Sequence, residues 1–462
     1  MRVFWYWSTL FVIFLFSLIL RFWNLGQFNE LVFDEVYYAK FANDYLTNTH
    51  FFNSHPPLSQ YIIALGISLG SFFDAPSEMV NNLTGSMRST LSYRWINALS
   101  GAFIPLLAAA LAFKLTLRRS YSIISAFLIS LDGIFLVESR YALNNIYIVI
   151  FGLLGNLFFL IYLSRRSLAI KYLILSGVFF GAAACIKWNG LWFFLGVCLM
   201  IILGFLASFW QYPREIKKPE KLLQKVIVEN YSSVFSKYPL DNLTLINPLY
   251  HLLILTVIGI ITYSILWIPH LIMNPEYDFW EMQYQILTYH ENIKSGPAVH
   301  PYCSTWYSWI LMLRPIAYYY KQSNNIIHDV HSMANPIALW LSTLAVFSLL
   351  LWLLLGKKGL FSPNNWIITY IVINYLANLL PWIKVTRCIF FYHYIEAYTF
   401  SLLALAWFID GWLSSSKIVF KFAGVLALIS ITLAFIFWLP IFMGSPLSQD
   451  EFNLRMLLQS WI

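Results

Sequence analysis

Residues 4–22 read FWYWSTLFVIFLFSLILRF, a run whose one charged residue is Arg21 near its end. A helix needs about 20 apolar residues to cross the hydrocarbon of a bilayer, so this run predicts a first membrane span. Arg2 precedes it and no small-residue cleavage pattern follows, which reads as an uncleaved signal anchor. The same test predicts spans near 94–114, 121–137, 145–163, 171–187, 189–209, 250–270, 336–356, 364–382, 389–411 and 418–441. The fold class is therefore all-α and polytopic, with about eleven transmembrane helices.

Composition points the same way. The 462 residues are 60% hydrophobic and 19% aromatic, and only 11% are charged. Soluble domains carry about a quarter charged residues, so the main solvent here is lipid. The net charge of +8 raises nucleic acid as a partner, but the bases are scattered between apolar runs and form no nucleic-acid module. Their distribution is topological. With the N-terminus cytoplasmic, Arg2 and the connections KLTLRRS, SRRSLAIK, 210–249, GKKG and SSSKIVFK hold 17 of the 29 Lys and Arg residues.

That orientation leaves two long external loops, about 23–93 and about 271–335, in a single membrane-embedded unit spanning 1–462. The cytoplasmic stretch 210–249 reads as a solvated charged loop or an amphipathic helix on the inner surface. There is no tandem repeat and no separate soluble domain. Four cysteines, Cys185, Cys198, Cys303 and Cys388, are too dispersed for a CxxC site or a disulfide framework. Cys303 is read as a candidate free thiol in the second external loop.

Function is sought in the loops. FDEVYYAKFANDYLTNTHFFNSHPPLSQY, residues 33–61, follows the first span and sets Asp34 and Glu35 among Phe33, Val36, Tyr37 and Tyr38. A carboxylate near lipid is expensive and usually has a role, here as a base with a neighbour that orients or tunes it. The ordinary alternative is a solvated acidic pair. In SHPPL two prolines bias His55 out of helix, which equally describes a turn re-entering the membrane.

Cations gather at the same membrane face. Arg94 ends span two, Glu138 and Arg140 end span three, and Lys187 tips span five. Singly each snorkels to the headgroups; together they can bind a phosphate. HPYCSTWYSWILMLRPIAYYYK, residues 300–321, predicts a helix lying in the interface. It brings His300, Trp306 and Arg314. LPWIKVTRCIFFYHYIEA adds Lys384, Arg387, His393 and Glu396 near the start of span ten. No P-loop, HExxH or Cys/His cluster is present, so nucleotide-driven transport and a metal centre are not expected.

FDEVYYAKFANDYL with FFNSHPPL, LDGIFLVESRYAL, KWNGLWFF, HPYCSTWYSWILMLRP and LPWIKVTRCIFFYHYIEA, in that order, resemble the protein O-mannosyltransferase family of the GT-C class. The resemblance implies a GT-C architecture and an inverting transfer of mannose from polyprenyl-phosphate-mannose. The acceptors it implies are Ser or Thr hydroxyls on unfolded or extended exported polypeptides. Asp34 is implied as the catalytic base with Glu35 in support. Arg94 and Arg140 are implied either at the leaving phosphate or in ordering the acidic loop. Lys187, Arg314, Arg387, His55, His300 and Trp306 complete the candidate substrate-binding set. No cofactor or metal is expected.

A multi-pass protein of the plasma (inner) membrane with its site on the external face follows, as does association with a translocon. The loop of 271–335 is too short for the β-trefoil insertion (MIR domain) of eukaryotic members. SRYALNN has Asn144 and Asn145 where many members have an acid, and Cys303 and Ile310 also depart from the family pattern. An alternative keeps the lipid-linked donor type with another sugar or a glycolipid acceptor. A transporter or flippase reading is weaker, because the charges lie at one face and not at the midplane.

Overall fold

Span three is not straight, because LDG interrupts it. Helices α6 (Arg119–Ser130) and α7 (Gly133–Arg140) meet at a 59° bend. Asp132 caps α7 by accepting from the Ile134 amide at 3.1 Å, and its other oxygen accepts from Asn335 N–H at 2.9 Å and Tyr398 O–H at 2.7 Å. Only glycine fits at 133, where a Cβ would stand 2.3 Å from Phe442 and 2.5 Å from the Met333 carbonyl. The chain thus bends where a buried carboxylate can satisfy the broken ladder.

This computed structural model describes residues 3–70, 80–164, 169–216, 236–356 and 363–462. Residues 217–235, within the predicted cytoplasmic stretch 210–249, lie outside the described residues. The remaining long helices are α1 (Val3–Phe22), α4 (Thr90–Ala102), α5 (Ile104–Thr116), α8 (Asn145–Leu163), α9 (Ile170–Ala184) and α10 (Leu191–Ile216). They continue with α11 (Pro248–Met273), α12 (Phe279–Asn292), α13 (Pro336–Leu355), α14 (Pro363–Leu379), α15 (Ile395–Leu413) and α16 (Ile418–Met443). Asn247 and Asn335 cap α11 and α13, each followed by proline at the first helical position.

A helix stands at each predicted span. Among the described residues, eight are long and apolar enough to cross a membrane, or nine counting α6 with α7 as one. Helix α9 is shorter than that test requires and α15 is not among the eight, so the eleven-span count goes beyond what the helices establish. Phe4, Trp5 and Phe11 on α1, Leu253 and Ile260 on α11, and Val419 and Phe422 on α16 are exposed. Apolar faces turned outward belong in lipid, where helices satisfy their own backbone groups.

The first external loop folds as α2 (Glu35–Thr47), α3 (Leu58–Gly70) and an antiparallel hairpin of β1 (Val80–Leu83) with β2 (Ser86–Ser89). The second departs from expectation. Residues 300–321 hold only one helical turn, Trp306–Trp309, and Tyr318, Tyr319 and Tyr320 lie on strand β3 (Ile316–Ser323). Strand β3 pairs antiparallel with β4 (Ile326–Ser332) through Asn324 and Asn325, both at positive φ. Two asparagines in that conformation suit a tight hairpin turn. A second correction concerns cysteine: Cys303 is not free but disulfide-bonded to Cys388, with Cα atoms 5.2 Å apart.

Candidate active site

The two acids at the start of α2 are divided in role by their surroundings. Glu35 is fully buried, accepting from the Val32 amide at 2.8 Å and the Ala142 amide at 2.8 Å. Arg94 donates to it through Nε at 2.9 Å and Nη2 at 2.8 Å. Both of its oxygens are thus occupied by the protein, an arrangement that fits the supporting place expected of Glu35 beside Asp34. Asp34 caps α2 in position but makes no side-chain capping bond. Its carboxyl faces a cavity of about 380 Å³ with Tyr38, His55, His290, Arg387 and Phe390. Burial raises its pKa to about 6, against the opposing pull of Lys187.

Phe33 helps aim Asp34. It holds φ at +51°, a region non-glycine residues rarely occupy, and its ring stacks on Tyr318 with centroids 4.2 Å apart. Strain of this kind persists only when neighbours over-determine it. Here β3 and the Glu35 network do so.

A second cavity of about 450 Å³ is lined by Lys187, Asn189, Lys384, Arg387, His55 and His393, among others. Helix α9 ends at Ala184 and the chain turns tightly to Lys187; a Cβ on Gly190 would sit 2.3 Å from the Ala183 carbonyl. The Lys187 ammonium donates to Asn145 at 2.8 Å, and the Asn145 amide donates to Glu138 at 2.9 Å. The Leu58 amide donates to the Cys185 carbonyl at 3.1 Å, which brings HPPL beside Lys187.

His55, His290 and Arg387 line both cavities and form the seam between them. The two rings lie 5.0 Å apart. Burial, followed by the Lys187 charge, drives the His55 pKa well below the usual range, and burial with Arg387 lowers that of His290 to about 4. Both rings are neutral near pH 7. Beyond Trp188 and Leu191, which the two share, the cation-lined cavity adjoins an apolar groove of about 940 Å³ between α9, α10 and α11.

The other predicted substrate-binding residues lie elsewhere. Arg94 donates to the carbonyls of Leu25, Phe28 and Glu30 as well as to Glu35, and Arg140 to those of Leu20, Arg21 and Trp23 at the end of α1. Both are buried scaffolding, which fits ordering of the acidic loop and not a phosphate contact. Arg314 donates to the carbonyls of Pro301, Ser460 and Ile462 and lies over the Tyr302 ring, so its fork is likewise occupied. His300 and Trp306 line neither cavity.

Sequence reasoning missed His290 entirely. The signal was present: it lies four residues after Ile286, on the α12 side that buries Met282 and Ile286. Asn145, read as a lost acid, instead links Lys187 to Glu138.

Two family models match the chain. One described as dolichyl-phosphate-mannose-protein mannosyltransferase covers residues 11–236, and one described as the C-terminal four TMM region of protein-O-mannosyltransferase covers 275–461. A relative from Mycolicibacterium smegmatis, polyprenol-phosphate-mannose--protein mannosyltransferase, is 22% identical over 98% of this chain and 93% of its own. Dolichyl-phosphate-mannose--protein mannosyltransferase 1 of Saccharomyces cerevisiae is 28% identical over 46% of this chain and 26% of its own length. Among solved structures, the S. cerevisiae protein O-mannosyltransferase Pmt1-Pmt2 complex bound to the sugar donor superposes with a TM-score of 0.76 at 15% identity, covering 100% of this chain and 93% of that one. ArnT from Cupriavidus metallidurans bound to undecaprenyl phosphate gives 0.55 at 12% identity, over 96% and 76%. The shared fold is that of GT-C membrane glycosyltransferases.

Proposed function

The chain belongs to the dolichyl-phosphate-mannose-protein mannosyltransferase family, and from that premise we propose that it moves mannose from a polyprenyl phosphate to Ser and Thr hydroxyls of polypeptides. The observation that carries this reading is the seam, with Asp34 on one side, Lys187 on the other and Arg387 reaching both. Donor phosphate in the cation-lined cavity puts its polyprenyl chain in the adjoining apolar groove, and the sugar at His55 and His290.

The Asp34 carboxylate takes the proton of the acceptor hydroxyl as its oxygen bonds to the anomeric carbon. The bond from that carbon to the phosphate oxygen breaks on the opposite face, so the centre inverts. Negative charge growing on the leaving phosphate is met by Lys187 and Arg387, held in a poorly solvated cavity where such charges act strongly. Holding lipid and hydroxyl on the two sides of one seam supplies the proximity. The reading needs no metal, and turnover is expected to persist in a chelator.

The membrane placement within this proposal is the plasma membrane, N-terminus cytoplasmic, acidic site external. It is supported by the 17 of 29 Lys and Arg residues on the opposite connections and by the Cys303–Cys388 disulfide, a bond that persists in oxidising compartments. Acceptors reach Asp34 most easily when extended, as in polypeptides being exported, and association with a translocon belongs to the same proposal.

The test supplies purified protein in lipid with polyprenyl-phosphate mannose and a Ser/Thr-rich peptide, and analyses the product. A mannosylated peptide with the anomeric configuration inverted is the expected result. Donor consumed without modified peptide points to a glycolipid acceptor, and retained configuration contradicts the single-displacement chemistry.

A further inference from the structure

Two chain segments far apart in sequence form facing walls of the seam. One runs from the end of α12 to Ser304 and contributes His290 and Ile293 to the acid's cavity. The other, residues 384–390, contributes Lys384, Val385, Thr386 and Arg387 to the cation-lined cavity, and Arg387 and Phe390 to the acid's. Residues 385–390 belong to neither helix nor paired strand apart from one isolated bridge, Ser304 to Ile389. Among the described residues no carboxylate stands within ion-pair distance of Arg387. Its recorded hydrogen bond is to the carbonyl of its own neighbour, Cys388, at 3.0 Å.

What fixes this strap comes from across the seam. Cys388 is bonded to Cys303, 85 residues away in sequence. Its amide donates to the Lys294 carbonyl at 3.1 Å. The Ser304 amide and hydroxyl both donate to the Ile389 carbonyl, at 2.8 and 3.1 Å. The covalent link thus sits one residue from the cation that reaches both cavities.

We propose that the Cys303–Cys388 disulfide is a positioning element for the reaction, setting the 385–390 strap so that Arg387 stands at the donor phosphate. This rests on the reading that the cation-lined cavity holds that phosphate. Cysteine 388 acts through Arg387 and touches no substrate. A dithiol reductant opens the link by exchange: its own sulfurs become a disulfide, while Cys303 and Cys388 each gain an electron and a proton as thiols.

The experiment measures undecaprenyl phosphate binding, donor KM and kcat in nanodiscs for four proteins. These are the wild type, the Cys303→Ser/Cys388→Ser double variant, Arg387→Ala, and all three changes combined. The double variant, and the folded wild type after dithiothreitol, are expected to bind undecaprenyl phosphate about tenfold more weakly, a difference of about 1.4 kcal/mol. Donor KM rises in parallel, and dithiothreitol adds nothing to the double variant. If the link acts through Arg387, the combined variant is no worse than Arg387→Ala, because effects within one unit do not add.

Unchanged affinity with only a lowered melting temperature overturns the proposal, and so does full additivity with Arg387→Ala. Reduction of already folded wild type keeps the test decisive if the double variant does not fold. Wild type that binds no undecaprenyl phosphate at all refutes the phosphate reading beneath it; wild type that binds while reduction changes nothing refutes the positioning role alone.

Discussion

Arg94 holds both carboxylate oxygens of Glu35, at 2.9 Å from Nε and 2.8 Å from Nη2, and neither side chain is exposed. The pair is the clamp on which the acidic loop is built, since the same Glu35 accepts from Val32 and Ala142. Arg94→Ala leaves a buried carboxylate without its partner, which typically costs about 3–5 kcal/mol. The expected outcome is a large fall in thermal stability in detergent, rescued little by excess donor. A normal melting temperature with only a raised donor KM would instead mark Arg94 as a phosphate ligand.

The pH dependence follows from Asp34. Burial lifts its pKa to about 6, so the carboxyl is protonated, and useless as a base, below that value. Transfer is expected to rise through about pH 6 and to level off above it. His55 and His290, both shifted downward, add no limb between pH 6 and 8. A rate that falls as pH rises from 5 to 7 runs against this assignment.

Lys187 and Arg387 face the cation-lined cavity, whereas Arg314 is engaged by the carbonyls of Pro301, Ser460 and Ile462. Removing one preplaced stabiliser of developing charge costs about 10²–10³ in kcat, and that loss is expected for Lys187→Ala. Arg314→Ala is expected to lower stability with kcat nearly intact in the protein that stays folded. Steady-state transfer assays with melting curves separate the two.

His290 and His300 make a second contrast. His290 lines both cavities; His300 lines neither and meets Phe390 edge-on at 5.0 Å. His290→Ala is expected to reduce transfer tenfold or more through a lost contact at the sugar, a step of about 1.4 kcal/mol. His300→Ala is expected to change the rate little. Equal losses in initial-rate assays contradict the placement of the sugar at the seam.

Much of this was legible in the chain, and the exceptions have physical causes. Apolar runs report spans well because lipid leaves the backbone few options, so helices stand where 4–22 and 418–441 predicted them. The Asp132–Gly133 break was hidden, since one buried carboxylate does not alter the hydropathy of its neighbours. Residues 316–323 misled because aromatic runs suit both an interfacial helix and a strand; the paired Asn324 and Asn325 were the overlooked turn signal. Arginine type and topology indicated a membrane face but not which guanidinium was already occupied. Arg94 and Arg140 bond carbonyls that lie far away in sequence, and no spacing rule reveals that. The Cys303–Cys388 link escaped for the same reason: 85 residues separate its partners.

In the proposed reaction Asp34 takes the acceptor's proton beside a phosphate held by Lys187 and Arg387. The most direct measurement compares wild-type and Asp34→Asn protein in nanodiscs, each given labelled polyprenyl-phosphate mannose and a Ser/Thr peptide, with undecaprenyl phosphate affinity measured alongside. A positioned base contributes about 10²–10⁴-fold, so the account predicts a loss of that size in transfer at unchanged lipid affinity and melting temperature. Transfer by Asp34→Asn within a few-fold of wild type would contradict it.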